Sequence, residues 1–381
     1  MPRDLTHVIL ADDTRSLLSK QARMCTYKNR AAFHMGAISH DSFLYGLHSE
    51  NSTKMHGGFG DDTRAVVLEM LDDVRQEKNP ALREKKKAFA YGFLCHTAAD
   101  SVFHPFVYSV SGSQVKENNP DDRHVQMAKT RHRYVETWMD VHFLKEKRRN
   151  LDGYKPFKKV ADNPDRDALS DFFCKSYQKA YGIEDDLTGA YDRSMTMQLF
   201  IGRVTKSQTL GKVLRKLDDF LDGRLGTAIS GFYQKDRKIP AKLEDFKEFK
   251  HPVTGEVVHK SLKDLTKDTL ACGAQFIDAA EMYIENGDRQ AFLQAVPNIN
   301  LDTGVENTRL SDIKQAEPLA VEELKGHKIK EFLKKGFKTL TSGTKAVSDK
   351  LRSKTVKAAY PEVRKYAPRP TAMLRKKDFQ R

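Results

Sequence analysis

Three polar residues, each four positions from the next, constrain the fold of this chain most strongly. His96, Asp100 and His104 lie in the otherwise small and apolar stretch GFLCHTAADSVFHPF, residues 92–106. Four residues advance an α-helix by roughly 400°, so the three side chains project from one side of a helix within about two turns. Pro105 should discourage the helix from continuing. This stripe predicts either a metal-binding face or a buried helix whose polar side chains are hydrogen-bonded.

A metal is one of these alternatives because imidazole nitrogen and carboxylate oxygen are good zinc ligands. A carboxylate also has two oxygen atoms with which to bridge two ions, and Asp100, in the middle of the stripe, is the natural bridge. Thiolate ligands are not indicated, since the four cysteines are far apart and form no CxxC pair. A metal site in this chain would therefore use histidines and carboxylates.

A second stripe repeats the spacing further along the chain. His132, Glu136 and Asp140 fall four apart in RHRYVETWMDVHF. A helix so rich in charge commonly exposes such groups to water and nothing more. The second stripe is therefore compatible with a second ligand set or with a solvated helix face.

The histidines are concentrated in the first part of the chain. Ten of the thirteen lie between His7 and His142, so we expect any chemistry in the first 150 residues. Each candidate outside the two stripes, taken alone, is more often an ordinary loop residue than a ligand. These candidates are His7, Asp41 in GAISHDSF and His56 in MHGGFGD.

Apolar residues recur at helical spacing in several segments, usually with Gly, Pro or Asn between them. We therefore expect a mostly α protein. Strand evidence is confined to FKHPVTGEVVH, residues 249–259, where Thr254 and Gly255 can turn a short ribbon. The predicted helical segments are 14–25, 63–77, 83–104, 124–148, 167–181, 191–222 and 262–286.

The net charge of the chain, +14, resides in its last residues. Residues 325–381 hold 18 Lys and Arg against 4 Asp and Glu, a difference that equals the net charge of the whole protein. In a helix, Ile329, Phe332, Leu333 and Phe337 would form an apolar strip between lysines. Such a tail can bind an anionic membrane surface, bind nucleic acid or remain solvated, and the sequence leaves the three open.

The opening MPRDLTHVILADDTRS carries charges where a secretory signal needs an unbroken apolar run. No later segment has the apolar length that a bilayer-spanning helix requires. We therefore expect a cytoplasmic protein, with peripheral attachment to a membrane as an option through the tail.

Taken in order, the motifs resemble those of the zinc-dependent phospholipase C family. The chain supplies MPRDLTH (1–7), GAISHD (36–41), MH (55–56), GFLCHTAADSVFHP (92–105) and HRYVETWMD (132–140). The resemblance covers roughly the first 145 residues. It implies a mostly helical fold, shared with fungal zinc nucleases that cut single strands, and a cluster of two to three zinc ions that hydrolyses phosphate esters.

The resemblance also implies ligand sets. His56, His96 and Asp100 would hold one ion, and His104, His132 and Glu136 a second. His7 and a bridging Asp100 would hold a third, and Asp41 would act as general base or as a ligand of the first ion. The chain departs from the family pattern at its Met-Pro start, where secreted relatives have a processed amino terminus, and at His40, where the family usually has Pro.

We predict three parts on this basis. Residues 1–150 would form a zinc-dependent phospholipase C-like catalytic core, residues 151–320 a helical continuation or cap, and residues 321–381 a basic amphipathic tail. The expected activity is cleavage of phospholipids to diacylglycerol and a phosphorylated head group. The alternatives are a zinc nuclease and a non-catalytic zinc protein that binds membrane or nucleic acid.

Overall fold

The computed structural model describes residues 3–147, 153–207, 209–214, 230–233, 243 and 245–319, and the fold below concerns these residues. They are mostly α-helical, as the sequence predicts. The helices are α1 (Asp4–Thr14), α2 (Lys20–Lys28), α3 (Arg30–Ser39), α4 (Ser49–Met55), α5 (Ala65–Gln76), α6 (Pro80–Ser111), α7 (Asp122–Glu146), α8 (Pro156–Ala161), α9 (Arg166–Tyr181), α10 (Thr188–Val204), α11 (Leu262–Asn286) and α12 (Arg289–Ala295). Short 3₁₀ turns cover Ser42–Tyr45, Lys116–Asn118 and Leu310–Asp312.

The long helix α6 is the centre of the fold, and helices α1, α2, α3, α5, α7, α9 and α11 pack against it. Its start is well specified, because the Asn79 side chain accepts hydrogen bonds from the first free backbone N–H groups and Pro80 occupies the first turn. It ends at Gly112, whose φ of 91° lies in the left-handed region that glycine tolerates. Its middle is buried on all sides, which places the first stripe inside the protein.

The expectation that Pro105 discourages continuation of this helix is wrong. The helix runs through Pro105 to Ser111, and Pro105 itself is buried. Tertiary packing outweighs the lost backbone hydrogen bond here. Phe106 stacks on Phe246 at a centroid distance of 4.1 Å, so the residues after the proline are held in the core.

The amino-terminal prediction is also wrong in its boundaries. A helix was expected over 14–25, whereas α1 ends at Thr14, α2 begins at Lys20, and the helix α3 was not predicted. Almost every residue of α1 and α3 is buried, including polar ones. A helix that is buried all round lacks the alternation of apolar and polar faces from which a helix is recognised.

The other predicted segments are found close to their expected positions, and α11 coincides with 262–286. The exception is 191–222, which was predicted as one helical segment but is interrupted, since α10 ends at Val204 and a turn follows at Thr205 and Lys206. The predicted ribbon is present as two antiparallel strands, β1 (Phe249–Lys250) and β2 (Val257–Val258), with Phe249 opposite Val258. The end of the 191–222 segment, beyond residue 214, and the basic tail lie outside the described residues. Among the helices of the described part, none is long and apolar enough to cross a membrane.

Helices α3 and α6 approach each other so closely that glycine is required on both. A Cβ atom added to Gly36 would lie 1.9 Å from the Phe89 carbonyl oxygen, and one added to Gly92 would lie 2.0 Å from the Phe33 carbonyl oxygen. Both clashes are with backbone, which cannot rotate away. This contact fixes the distance between the helix that carries the first stripe and the helix that leads into Asp41.

We predict that Gly92→Ala lowers the free energy of unfolding by about 2–3 kcal/mol or more, because the added methyl group forces the two helices apart. Gly189→Ala on α10 is the matched control. Gly189 is an exposed helical glycine whose nearest foreign atom is the end of the Arg193 side chain, at 3.4 Å. Alanine there should be neutral or stabilise by up to about 1 kcal/mol. Urea denaturation measures both, and equal effects would contradict the prediction.

Candidate metal centre

The fold brings all eight predicted ligands into one buried region. Helix α6 carries three of them, α7 carries two and α1 carries one, while the remaining two follow the ends of α3 and α4. None is more than 7% exposed. They are His7 on α1, Asp41 after α3, His56 after α4, His96, Asp100 and His104 on α6, and His132 and Glu136 on α7.

Seven of these eight side chains form two groups, in each of which one ligand atom per residue lies within 4.8 Å of the others, and His7 is in neither group. The first group is Asp41, His56, His96 and Asp100. The second group is His104, His132 and Glu136. Within it, Nε2 of His132 lies 3.1 Å from Oε1 of Glu136.

The Asp100 carboxylate lies among four imidazole rings. Its Oδ2 atom is 2.9 Å from Nε2 of His96 and 3.1 Å from Nε2 of His56. Its Oδ1 atom is 3.3 Å from Nε2 of His7 and 3.7 Å from Nε2 of His104. Each oxygen thus faces a different pair of histidines, which is the position a bridging carboxylate requires.

Several of these atoms have no hydrogen-bond partner. They are buried, and an unsatisfied buried polar atom is unfavourable by about 1–3 kcal/mol unless something else compensates it. Divalent cations bound between the imidazole nitrogens and the carboxylates would satisfy such atoms. The unpaired atoms include Nε2 of His7, His96 and His104, and Oδ1 of Asp41 and Asp100.

In three of the histidines, Nδ1 is hydrogen-bonded to a backbone carbonyl oxygen. The Nδ1–H of His96 donates to the Ala37 carbonyl oxygen (2.9 Å), that of His56 donates to the Ser52 carbonyl oxygen (2.6 Å), and that of His104 donates to the Leu301 carbonyl oxygen (2.7 Å). A carbonyl oxygen only accepts, so the proton must be on Nδ1. Nε2 then offers its lone pair to the centre, which is how protein histidines bind zinc.

The electrostatics of the metal-free site favour the unprotonated, ligand-competent form of some of these groups only. Burial lowers the pKa of His7 to about 4 and holds the pKa of His104 well below its usual value. The two histidines beside Oδ2 of Asp100 are different: burial by itself would lower their pKa, but the nearby carboxylates raise it, to about 9 for His56. Burial by itself would raise the pKa of Asp100, but the surrounding histidines hold it well below the usual range. Burial raises the pKa of Asp41 to about 7. Metal binding to the site would draw these groups into their unprotonated forms.

A loop at residues 298–308, which the sequence did not indicate, completes the centre. The Leu301 N–H donates to the His56 carbonyl at 2.9 Å, and the Leu301 carbonyl accepts from His104 Nδ1. One residue thus ties a member of the first group to a member of the second. Sequence reasoning could not find it, because the bonds use backbone atoms that any residue type offers.

Asn300 braces this loop. Its Nδ2 donates to the Gly57 carbonyl at 2.7 Å, and its Oδ1 accepts from the backbone N–H groups of Asp302 and Thr303. Asp302, directly after Leu301, accepts from the Tyr108 hydroxyl at 3.2 Å and lies 3.5 Å from Nδ1 of His104. The loop therefore contributes a fourth buried carboxylate to the edge of the centre.

Asp140, the third member of the second stripe, does not lie in either group. Its Oδ1 accepts from the N–H and the hydroxyl of Thr6, both at 2.7 Å, and its Oδ2 accepts from the Tyr233 hydroxyl. Thr6 precedes His7, so Asp140 anchors the helix that carries that ligand.

Other histidines near the motifs have separate places. His34 bonds to Asp12, His48 lies beside Glu50, and His124 bonds to Asp121. His40 differs, because its ring stacks on His96 at a centroid distance of 4.4 Å and both of its buried nitrogens are unpaired. The family position where Pro is usual is thus filled by an aromatic ring packed against a ligand.

A cleft of about 320 Å³ opens beside the centre. Asp41, His56, His132 and Glu136 reach its surface, so both ligand groups are accessible from it. Most of the other residues that line the cleft are charged or polar, while Leu44 and Leu310 are apolar. This arrangement can admit a small polar ligand to the two groups at once.

Residues 6–186 match the family described as zinc dependent phospholipase C. The resemblance given by the motifs is therefore confirmed, and the match includes all eight predicted ligands. Asn300, Leu301 and Asp302 lie far beyond its end. No curated protein and no solved structure matches the chain significantly.

We predict that Asn300→Ala weakens zinc binding roughly tenfold or more, because contacts that orient ligands typically contribute 10- to 100-fold to metal affinity. Asn298→Ala is the matched control, since Asn298 anchors the same loop through Thr63 and touches no ligand. Competition with a chromophoric chelator measures both affinities. The same loss in both variants would show that loop stability, and not the Leu301 bridge, is responsible.

Proposed function

We propose that this chain, whose residues 6–186 belong to the zinc-dependent phospholipase C family, is a zinc phosphodiesterase that cleaves phospholipids. The products would be diacylglycerol and a phosphorylated head group. The observation that carries the proposal is the Asp100 carboxylate, whose two oxygens face four imidazole nitrogens beside an open polar cleft. Two to three zinc ions would be held there.

Each predicted ligand has a role in the proposed site. His56, His96 and Asp100 would hold the first ion, and His104, His132 and Glu136 the second, with His7 and Asp100 facing a third position. Bound zinc supplies Lewis acidity, which makes water acidic near neutral pH and neutralises the negative charge of a phosphodiester. The backbone bonds from Nδ1 keep the imidazoles oriented, so little reorganisation is needed during the reaction.

Asp41 is the residue we assign to proton transfer. It lies in the first group and also lines the cleft, 3.5 Å from Nε2 of His56. Burial raises the pKa of its carboxyl in the metal-free site, and bound zinc would lower that pKa again, so Asp41 would be unprotonated and able to act as a base near neutral pH. It would accept the proton of the attacking water while the three remaining ligands hold the ion.

The basic tail supports a membrane substrate. Each basic residue near an anionic surface contributes about 1 kcal/mol of attraction, and residues 325–381 carry 18 of them. We therefore propose that the protein cleaves its substrate at a cytoplasmic membrane surface. The tail lies outside the described residues, and its charge is known from the sequence.

Replacement of Asp100 tests the proposal. Full-length protein purified without a histidine tag should contain two to three zinc ions and release phosphocholine from phosphatidylcholine. Asp100→Asn should lose most of the zinc and at least roughly a hundredfold in activity, because one change affects both groups. Zinc is measured by mass spectrometry and phosphocholine by an enzymatic assay.

The control is Asp12→Asn, a buried aspartate that pairs with His34 away from the centre. This variant should keep its zinc and the activity per folded molecule. If Asp100→Asn contains as much zinc as the wild-type protein, the proposed site is wrong. Cleavage of single-stranded DNA without lipid cleavage would identify a nuclease instead, and zinc-loaded protein inert on both would identify a binding protein.

We predict that Asp41→Asn keeps the zinc but lowers kcat by about 10²- to 10⁴-fold, the usual contribution of a positioned general base. The acid limb of the kcat profile, where activity rises as the base loses its proton, should also disappear. Zinc analysis and a pH–rate profile are the measurements. Loss of about one zinc ion per chain would show that Asp41 is a ligand and not the base.

A further inference from the structure

One wall of the cleft is cationic. Helix α7 contributes His132 and Glu136 to the metal centre, and the same helix contributes Lys129 and Arg133 to the cleft lining. Lys129 and Arg133 are four residues apart and therefore project on the same side of the helix. The wall thus continues outward from the ligands of the second group.

In the described part of the chain the charges of this wall are not in close contact with an acidic group, although Arg133 interacts electrostatically with Asp4 and Glu136. Neither Lys129 nor Arg133 forms an ion pair or a side-chain hydrogen bond with the described residues. Arg3, the third cation of the lining, is different, since its guanidinium bonds to the Gly231 carbonyl and to the Thr205 hydroxyl. Two cations therefore face the cleft with their hydrogen-bond donors unused.

The carboxylates of the lining are already engaged. Asp4 accepts from Gln198 Nε2 at 2.7 Å and from the Tyr45 hydroxyl at 3.0 Å. Asp302 accepts from Tyr108 and lies beside His104. Asp41 and Glu136 belong to the ligand groups. A cationic head group would therefore find only carboxylates that are already hydrogen-bonded or in a ligand group. An anionic one would find two cations whose side chains form no ion pair or hydrogen bond with the described residues.

We propose that Lys129 and Arg133 bind a negative charge on the head group, a carboxylate or phosphomonoester, in addition to the phosphodiester that is cleaved. This inference rests on the proposed function. Lys129 stands three residues before His132, which is about 4.5 Å along the helix, on the side away from Glu136, so it reaches a part of the ligand next to the metal centre and outward from it. A guanidinium binds such planar or tetrahedral anions through two hydrogen bonds at once.

The test compares two monomeric substrates with identical short acyl chains, dihexanoyl phosphatidylserine and dihexanoyl phosphatidylcholine, on the zinc-loaded full chain. Both are used below their micellar concentration, so that attraction to a membrane plays no part. Arg133→Ala should raise KM for the serine lipid by at least about tenfold, as expected for loss of a charged hydrogen bond. KM for the choline lipid should change less than about threefold, and Arg133→Lys should recover part of the loss.

The control variant is Lys145→Ala, an exposed lysine of the same helix that does not line the cleft. It should leave both substrates unchanged. Equal losses on the two lipids in Arg133→Ala would overturn the proposal, because they would place Arg133 on the cleaved phosphate. A wild-type protein that prefers the choline lipid would overturn it as well.

A binding measurement separates this inference from the proposed function. Calorimetry with phosphoserine and phosphocholine requires no turnover. Tighter binding of phosphoserine that is lost in Arg133→Ala would support the anion site even if neither lipid is cleaved, in which case the phospholipase activity alone fails. Equal binding of the two compounds would refute the anion site even if both lipids are cleaved.

Discussion

The structure depends on a single buried carboxylate. Asp100 is fully buried in the middle of α6, with imidazole nitrogens on both of its oxygens. A buried charge is tolerated only where opposite charge or hydrogen bonds offset its lost hydration, and in the metal-free site the surrounding histidines do so, since they hold the pKa of Asp100 well below its usual range. A cation bound here would replace the protons of those histidines as the opposite charge, so we expect metal loading to stabilise the folded chain.

The helix packing and the metal centre follow from the same contact. Gly36 and Gly92 let α3 and α6 approach until their backbones touch. The next residue after Gly36 is Ala37, whose carbonyl accepts from His96, one turn beyond Gly92. The close approach thus determines the tautomer and the orientation of a ligand. A larger residue at either glycine would displace the acceptor from the imidazole as well as separate the helices.

The sequence predicted which side chains come together better than it predicted the boundaries of the elements. His96, Asp100 and His104 were foreseen because helical spacing converts directly into a shared face, and the partners came from the order of the motifs. The limits of α1 and the passage of α6 through Pro105 were not foreseen, since burial on all sides hides periodicity and packing overrides the preference of proline. The role of Leu301 could not be predicted from the sequence, because its hydrogen bonds to His56 and His104 use backbone atoms.

This last point changes how the chain should be divided. The family match ends at residue 186, yet the bond between the two ligand groups runs through Leu301 and is braced by Asn300. The predicted ligands lie within the matched segment, but the support of His56 and His104 comes from a loop far beyond it. A fragment limited to the match would keep the donors and lose the residue that fixes their separation. The segment after residue 186 is therefore part of the site and not an accessory to it.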